Sequence, residues 1–321
     1  MDVRTCDYGQ TGDGVRPATT ERRSVVITGA SRGLGFASAV HLYSQGWRVV
    51  GAMRSPQAGL EKLRAATGAR HDDSGLLTVP LDLTDSASVE AAGKAIQEAV
   101  GAPHVLLHNA GISAAGMVEE VPIDLWERMF ATHVFGPVLL TKALLPSMRA
   151  AGRGRIVLIS SQGGVRGVPE IAAYSAAKGA LERWGESMAG EIAPFGLGVT
   201  IVVAGTFDTD IITDAGTSDY RDFSGPYAAH HSKIDRRGRF AMRFARPPER
   251  FARGLAKVLN EQAPFARHAV GIDARMLLFA NRLLPDRVLH RVIRLAMGLP
   301  RHGALRYVPD NSPSKESMHD V

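Results

Sequence analysis

Cysteine is nearly absent from this sequence, because Cys6 is the single cysteine among 321 residues. A lone cysteine can form neither an intrachain disulfide nor a cysteine-ligated zinc site, which excludes the small disulfide-stabilised secreted domains. Long apolar runs are missing as well. No stretch approaches the roughly 18 uninterrupted apolar residues of a spanning helix, and residues 1–24 lack the apolar segment of a signal peptide. We therefore expect a cytoplasmic protein with no metal site.

Acidic residues are in deficit, since 38 Lys and Arg face 32 Asp and Glu, a formal net charge of +6. A basic balance can indicate nucleic-acid binding, but no nucleic-acid motif accompanies it here. Much of the excess is local, in Arg236, Arg237, Arg239, Arg243, Arg246, Arg250 and Arg253. We expect these arginines to form a solvated face, without a nucleic-acid partner.

Short β-branched or aliphatic runs alternate with longer stretches of helical period, a pattern typical of a parallel sheet covered on both faces. The predicted strands are Val25 to Thr28, Arg48 to Ala52, Leu77 to Leu81, Val105 to His108, Arg155 to Ser160, Val199 to Val203, and a weaker His268 to Val270. The predicted fold is α/β, a single doubly wound (Rossmann) domain with a seven-stranded parallel sheet.

This catalytic domain is expected over residues 24–246, and a helical C-terminal extension packed on the same domain over residues 247–300. Residues 1–23 and 301–321 lack periodicity, which predicts two mobile tails.

A glycine-rich turn follows the first predicted strand, where residues 28–35 read Thr-Gly-Ala-Ser-Arg-Gly-Leu-Gly and a helical pattern comes next. Glycines let the chain approach a pyrophosphate, and a helix start offers free N–H groups and partial positive charge. A tight connection without a ligand is the alternative. The spacing G-x-x-x-G-x-G resembles the short-chain dehydrogenase/reductase family. The resemblance implies a nicotinamide dinucleotide held by Gly29, Ser31, Arg32, Gly33, Leu34 and Gly35.

The end of the second strand bears on the choice of coenzyme. NAD-binding sites of this fold usually carry an acidic residue there, but residues 49–54 contain none and end in Arg54. Arg32 is a second cation, and a guanidinium can hold a 2′-phosphate through two hydrogen bonds. The sequence therefore favours NADP over NAD. Asp82, with Leu83, matches the family position that contacts the adenine, although Asp82 could instead cap the following helix.

Ser161 follows the fifth predicted strand, and Tyr174 comes thirteen residues later. Lys178 lies one helical turn after Tyr174, on the same face of the predicted helix. A free tyrosine has a pKa of about 10, and an ammonium at about 4 Å supplies enough Coulomb energy to lower it by roughly three units. Tyr174 is thus predicted as the catalytic acid/base, and Lys178, aided by an oxidised nicotinamide, as the residue that lowers its pKa. Ser161 would hold the substrate oxygen. The resemblance implies that Lys178 also binds the nicotinamide ribose.

Two positions depart from the family pattern. After the fourth strand the chain reads His108-Asn109-Ala110-Gly111, where relatives usually have two asparagines. Asn109, Ala110 and Gly111 are expected beside the cofactor. His133 occupies the position of the family's fourth catalytic residue, an asparagine that acts largely through its backbone carbonyl. We expect His133 to support a proton relay, and a histidine that only fills space is the alternative.

After the sixth strand, residues 204–209 read Ala-Gly-Thr-Phe-Asp-Thr, which resembles the family's Pro-Gly-x-x-x-Thr without its proline. The resemblance implies that Gly205, Thr206 and Thr209 bind the cofactor, with Thr209 on the carboxamide. From Asp210 to Phe244 the polar, aromatic sequence coincides with the family's substrate lid.

The extension resembles that of the retinol and 17-beta-hydroxysteroid dehydrogenases, which favours a lipophilic alcohol or carbonyl substrate. Its last helix, after Pro285, sets apolar residues on one face and arginines on another. Covering the substrate pocket or a subunit interface is the favoured interpretation, and contact with an anionic membrane is the other.

The predicted function is an NADP(H)-dependent oxidoreductase that interconverts an alcohol and a ketone or aldehyde. The alternative is a non-catalytic NADP-binding sensor or scaffold of the same fold. The resemblance also implies a homo-oligomer, either a dimer or a tetramer.

Overall fold

A seven-stranded parallel sheet forms the centre of the computed structural model, which describes residues 22–209, 217–299 and 302–303. The predicted α/β sheet is confirmed, with strand order β3-β2-β1-β4-β6-β7-β9. Its strands are β1 Ser24–Thr28, β2 Arg48–Met53, β3 Leu76–Pro80, β4 Val105–His108, β6 Gly154–Ser161, β7 Leu197–Ala204 and β9 Phe265–Val270. The strand order reverses between β1 and β4, and ligands of doubly wound folds bind at such a switch point.

Helices cover both faces of the sheet, because the strands carry apolar side chains on both sides and each side must be shielded from water. One layer contains α1, α2 and α9, and the other α3, α4, α5 and α7. The helices are α1 Gly33–Ser44, α2 Pro56–Thr67, α3 Ser86–Val100, α4 Ile123–Phe130, α5 Gly136–Ala150, α6 Gln162–Val165, α7 Ala172–Ile192, α8 Ala228–Met242, α9 Pro248–Val258, α10 Ile272–Leu283 and α11 Asp286–Met297.

A π-helical turn, Ala131–Phe135, joins α4 to α5. The continuous helical stretch Ile123–Ala150 is the one segment among the described residues long and apolar enough to cross a membrane, with a mean hydropathy of 1.3. Its apolar side chains Leu125, Met129, Leu140 and Leu144 are buried in the protein core. This burial is typical of a core helix.

The predicted domain boundary at residue 247 falls inside the sheet domain. Helix α9 packs against α1, and β9 pairs with β7 as the seventh strand. The sequence predicted only His268 to Val270 of this strand, because Arg267 interrupts the apolar run before it. Only α10 and α11 therefore form an extension beyond the sheet.

A second, two-stranded sheet was missed by the sequence analysis. It pairs β5 Ser113–Ala115 with β8 Thr217–Asp219, which lies within the predicted lid. Strands of three residues carry too little periodicity to be recognised. The predicted tails and residues 210–216 of the lid lie outside the described residues, except 22, 23, 302 and 303.

Candidate active site

The glycine-rich turn follows β1, with Gly29 at φ +71° and Gly33 at φ +57°. Residues that have a Cβ rarely adopt these backbone conformations. A Cβ on Gly29 would also lie 2.8 Å from the Cα of Ala110. The Asn109 side-chain amide donates to the Thr28 carbonyl at 2.9 Å, and the Thr28 hydroxyl accepts from the Ala110 N–H at 3.0 Å. The turn is thus attached to the end of β4.

A cavity of about 640 Å³ opens at the switch point between β1 and β4. The predicted site residues that line it are Gly29, Ser31, Arg32, Gly33, Leu34, Arg54, Asp82, Leu83, Asn109, Ala110, Gly111, Ser161, Tyr174, Lys178, Gly205 and Thr209. Gly35 lies beneath the turn instead, where a Cβ would collide with the carbonyl of Gly29. Residues spread over 180 positions of the chain therefore meet in one cleft.

The end of β2 carries positive charge, as the sequence predicted. Arg54 follows β2 directly and lines the cavity together with Arg32. Asp82 accepts from the Thr84 N–H at 2.9 Å and from its hydroxyl at 2.7 Å, and these bonds lower the pKa of Asp82. Asp85 is the N-cap of α3, so Asp82 does not serve as that cap and faces the cavity.

The three catalytic candidates meet where β6 ends and α7 begins. Ser161 ends β6, and its hydroxyl lies near the phenol of Tyr174, close to the start of α7, where it acts to lower the pKa of the tyrosine. The Lys178 Nζ lies 5.7 Å from the centre of the Tyr174 ring and donates to the Ile159 carbonyl at 2.8 Å. A hydroxyl pair and a buried amine thus face the same cavity as the glycine turn.

The predicted lowering of the tyrosine pKa by Lys178 is not found. Burial raises the pKa of Tyr174 above its ordinary value, and the nearby Ser161 hydroxyl only partly opposes this effect. Burial also lowers the pKa of Lys178 to about 8, which weakens the positive charge that was expected to act on the phenol. The predicted lowering of the pKa also relied on the positive charge of an oxidised nicotinamide. In the protein alone, Tyr174 is protonated at neutral pH.

A buried ion network behind the catalytic strand was missed by the sequence analysis. Glu182, 1% exposed, accepts from the Ser160 hydroxyl at 2.6 Å and pairs with Arg267 at 2.8 Å. Its charge raises the pKa of Lys178 against the effect of burial. A signal was present, because Glu182 follows Lys178 by one helical turn on α7.

The imidazole of His133 lies inside the π-helical turn, 1% exposed and edge-on to the Tyr174 ring at 5.4 Å. Its Nε2 is 2.9 Å from the Ile112 carbonyl oxygen and 3.3 Å from the Ile112 nitrogen, so the ring is held by backbone. Burial, and then the charge of Lys178, holds the pKa of His133 well below its usual value. A neutral ring packed behind the tyrosine fits the alternative of a space-filling histidine better than a titrating relay.

His108 is also buried and bonds through Nε2 to the Thr141 hydroxyl at 2.9 Å. Burial lowers the pKa of His108 to about 3. It therefore acts as a neutral core residue between β4 and α5.

The loop after β7 is held by a residue from the C-terminal part of the chain. The Asp273 carboxylate, near the start of α10, accepts from the Thr206 N–H at 2.7 Å and from the Gln162 side-chain amide at 2.8 Å. The predicted cofactor contact Thr206 does not line the cavity, whereas its neighbour Phe207 does. Asp273 could not be foreseen because it lies 67 residues beyond Thr206.

The lid helix α8 is attached to the site by a buried histidine between two carboxylates. His231 Nδ1 lies 2.5 Å from Glu170, just before α7, and Nε2 lies 2.8 Å from Glu120, just before α4. Burial opposes protonation of this imidazole, but the two carboxylates prevail and raise the pKa of His231.

The residues present fit a nicotinamide dinucleotide. The cavity has the size of a small-molecule site, and the start of α1 at Gly33 supplies N–H groups where a pyrophosphate would lie. Within the described ranges, no group of three or more His, Cys, Asp or Glu side chains could hold a metal ion.

Comparison with known proteins agrees with this geometry. The family model of short chain dehydrogenases matches residues 23–219. The 3-ketodihydrosphingosine reductase of Bacteroides thetaiotaomicron is 32% identical over 276 residues, covering 84% of this chain and 96% of that protein.

Two solved structures are similar. A short-chain dehydrogenase from Streptomyces avermitilis has a TM-score of 0.72 at 32% identity, covering 85% of this chain and 96% of its own. The 3-ketoacyl-(acyl-carrier-protein) reductase of Brucella melitensis, complexed with NADH, has a TM-score of 0.62 at 25% identity, covering 78% and 97%. On its glycine turn, its Ser-Tyr-Lys set and these matches, the chain belongs to the short-chain dehydrogenase/reductase family of nicotinamide-dependent oxidoreductases.

Proposed function

We propose that this protein is an NADP(H)-dependent oxidoreductase that interconverts a lipophilic alcohol and the corresponding ketone or aldehyde. The observation that carries the proposal is the placement of Ser161, Tyr174 and Lys178 in one cavity, which the glycine turn also lines. A non-catalytic sensor of this fold is not favoured, because a protein that only reports cofactor state does not require this set.

Proton transfer follows from the state of the tyrosine. When bound, a nicotinamide would provide the hydride chemistry at the substrate carbon, and the residues of this protein would handle the proton. Tyr174, kept protonated by burial, donates its hydroxyl proton to the carbonyl oxygen in the reductive direction. Ser161 donates a hydrogen bond to the same oxygen and orients it. In the oxidative direction the proton returns from the alcohol to Tyr174, so the same groups serve both directions.

The preference for NADP is supported by charge around the adenosine end of the cavity. Arg32 and Arg54 line it, and no acidic residue follows β2 in residues 49–54. A 2′-phosphate gains charge-assisted hydrogen bonds from a guanidinium, whereas an acid at this point would repel it.

A lipophilic substrate is supported by apolar residues that line the cavity, namely Ile112, Ala115, Ile171 and Phe207. The Bacteroides relative is named for reduction of a ketodihydrosphingosine, a long-chain keto compound. We propose a ketone or aldehyde with an extended apolar part as the substrate class.

The coenzyme assignment is tested by oxidation of NADPH and NADH over a panel of lipophilic ketones and aldehydes. We expect a lower KM for NADPH than for NADH. The substitution Arg54→Glu should reverse this preference, because it places the missing acid at the end of β2. An unchanged coenzyme preference in that variant would contradict the role of Arg54.

The catalytic assignment is tested by Tyr174→Phe. We expect kcat to fall by about 10²- to 10⁴-fold, the usual contribution of a positioned proton donor, while the Kd for NADPH stays the same. Fluorescence titration of NADPH provides the binding control. Full turnover by the variant would remove Tyr174 from the mechanism and return the sensor to consideration.

We further propose a cytoplasmic homo-oligomer, as the sequence predicts. The exposed side chains Phe135 and Leu139, at the junction of the π-helical turn and α5, support a contact between two copies in this region. Light scattering coupled to size-exclusion chromatography measures the oligomeric state, and a monomer at all concentrations would contradict the proposal.

A further inference from the structure

The two C-terminal helices expose apolar side chains that no described residue covers. In α10, Ile272, Met276, Phe279 and Leu283 are each between 63% and 72% exposed. In α11, Val288, Val292 and Leu295 are between 45% and 65% exposed. Large exposed apolar side chains in this number are typical of an interaction site.

These side chains form one stripe on each helix. They follow at intervals of four, three and four residues in α10, and of four and three in α11, so each set lies on one helical face. Ala274, on the far side of α10 from its stripe, and Leu289, beside the α11 stripe, are buried. The helices are therefore fixed to the protein by one side and turn an apolar stripe outward.

Arginines accompany the stripes with a regular pattern. Five of the seven stripe residues are preceded directly by an arginine, in Arg275-Met276, Arg282-Leu283, Arg287-Val288, Arg291-Val292 and Arg294-Leu295. On a helix a preceding residue lies roughly 100° around the axis, so the arginines flank each stripe on the same side. Among the described residues, no ion pair involves Arg275, Arg282, Arg287 or Arg291.

Acidic groups hardly offset this charge. The only acids of the two helices are Asp273 and Asp286. Asp273 bonds the loop after β7, and Asp286 pairs with Arg166 at 2.5 Å. The surface thus combines exposed apolar side chains with the positive charge of Arg275, Arg282, Arg287 and Arg291.

We propose that the arginine-flanked stripes of α10 and α11 dock the protein on an anionic lipid surface. The apolar side chains would enter the boundary between headgroups and acyl chains, and the guanidinium groups would reach the lipid phosphates and carboxylates. A second copy fits less well, because a symmetric contact brings the same arginines face to face.

Docking would bring the active-site cleft to the lipid. Helix α10 begins beside the loop after β7, where Asp273 bonds the N–H of Thr206, and it packs on α6 directly after Ser161. The lipophilic substrate, which rests on the proposed function, would then enter from the bilayer. Docking itself requires no substrate.

Co-sedimentation with vesicles tests the proposal in the full-length protein. We expect binding to equimolar phosphatidylcholine and phosphatidylserine vesicles, weaker binding in high salt, and little binding to pure phosphatidylcholine. The double substitution Met276→Gln and Phe279→Gln should weaken binding by about tenfold or more, since binding follows the buried apolar area. The substitutions Arg275→Gln and Arg282→Gln should weaken it by roughly tenfold on the anionic vesicles.

Matched controls test whether binding depends on the position of the substituted side chains or only on their charge and apolar character. Arg250→Gln with Arg253→Gln removes the same charge from the exposed side of α9, and Phe195→Gln removes an exposed aromatic ring elsewhere. Both controls should bind as the wild type does. Circular dichroism and NADPH binding establish that each variant is folded.

Absence of wild-type binding to the anionic vesicles would overturn the proposal. So would equal loss of binding in the α9 control, which would indicate only nonspecific charge attraction. If the Met276 and Phe279 substitutions convert an oligomer to a monomer while vesicle binding is unaffected, the surface belongs to a second copy. NADPH oxidation with a water-soluble ketone tests the proposed function separately, so either proposal can fail alone.

Discussion

A single buried carboxylate sustains the charge of the catalytic lysine. Lys178 is 4% exposed, and burial lowers its pKa to about 8. Glu182, one turn further along α7, opposes this effect through its negative charge. The ammonium is the group that is expected, from the family resemblance, to bind a ribose hydroxyl, so we propose that Glu182 acts through Lys178 as a positioning residue.

The substitution Glu182→Gln should shift the alkaline limb of the kcat/KM profile to lower pH. The neutral amide can keep the hydrogen bond from Ser160 but no longer raises the pKa of Lys178. The lysine then loses its proton at a lower pH than in the wild type. The measurement is the pH dependence of kcat/KM for the carbonyl substrate.

Glu186→Gln is the matched control for this prediction. Glu186 also bonds Arg267, at 2.6 Å, but it is half-buried and lies a further turn from Lys178. It should leave the profile in place. Equal shifts in both variants would show that Arg267, rather than the charge of Glu182, controls the site.

Among the elements, α8 is held to the region around the cleft by His231, a buried histidine whose pKa is raised. The charges that surround His231 come from three segments around the site: Glu119, Glu120, Glu170, Asp219, Arg221, Asp222, His230, Lys233 and Asp235. Glu120 and Glu170 touch the imidazole directly. Because these two carboxylates precede α4 and α7, the histidine connects the lid helix to both sides of the cleft.

Hydrogen exchange of Ala228–Met242 should reveal a pH-dependent release of α8. A raised pKa in the folded state means that the stabilisation by protonated His231 is complete below its ordinary value of about 6.5 and is lost as the pH rises through the raised value. Protection factors of α8 should fall by roughly tenfold at alkaline pH, the equivalent of one charge-assisted hydrogen bond. The burial of Glu170 raises its pKa and acts in the same direction at lower pH.

His231→Asn should abolish this pH dependence while the exchange of β1 and β4 stays slow. If the variant keeps the wild-type difference between pH 6 and pH 9, another group controls the lid.

At the scale of the whole molecule, two buried histidines make the fold sensitive to acid. Burial lowers the pKa of His108 to about 3 and that of His133 well below its usual value. A lowered folded pKa means that the stabilisation is present above the unfolded value of about 6.5 and is lost as the pH falls towards the folded value. The free energy of unfolding should therefore decrease below pH 6.5.

His108→Asn should remove part of this acid sensitivity. Between pH 6.5 and pH 5, the loss of unfolding free energy should be about 2 kcal/mol smaller in the variant than in the wild type, at about 1.36 kcal/mol per unit. Urea denaturation at the two pH values measures the difference. His71→Asn, at an exposed position, is the control. Parallel pH dependence in wild type and His108→Asn would mean that His108 is not the source.

Local patterns predicted most of the fold and the chemical centre. The apolar runs predicted six strands to within two residues, because each run is buried on both sides of the sheet. The glycine turn, and the one-turn spacing of Tyr174 and Lys178, are local features whose geometry follows from the helix and the strand alone.

Tertiary structure decided the groups that tune and cover this centre. The pairs Glu182–Arg267, Thr206–Asp273 and Glu120–His231 join residues 85, 67 and 111 positions apart. The raised pKa of Tyr174 likewise arises from burial, which the Tyr-Lys spacing does not contain. The exposure of the α10 and α11 stripes could be seen only in the tertiary structure. An apolar helical face has the same sequence pattern whether it is covered by protein or exposed to solvent. Periodicity reports which face is apolar, whereas packing decides what that face meets.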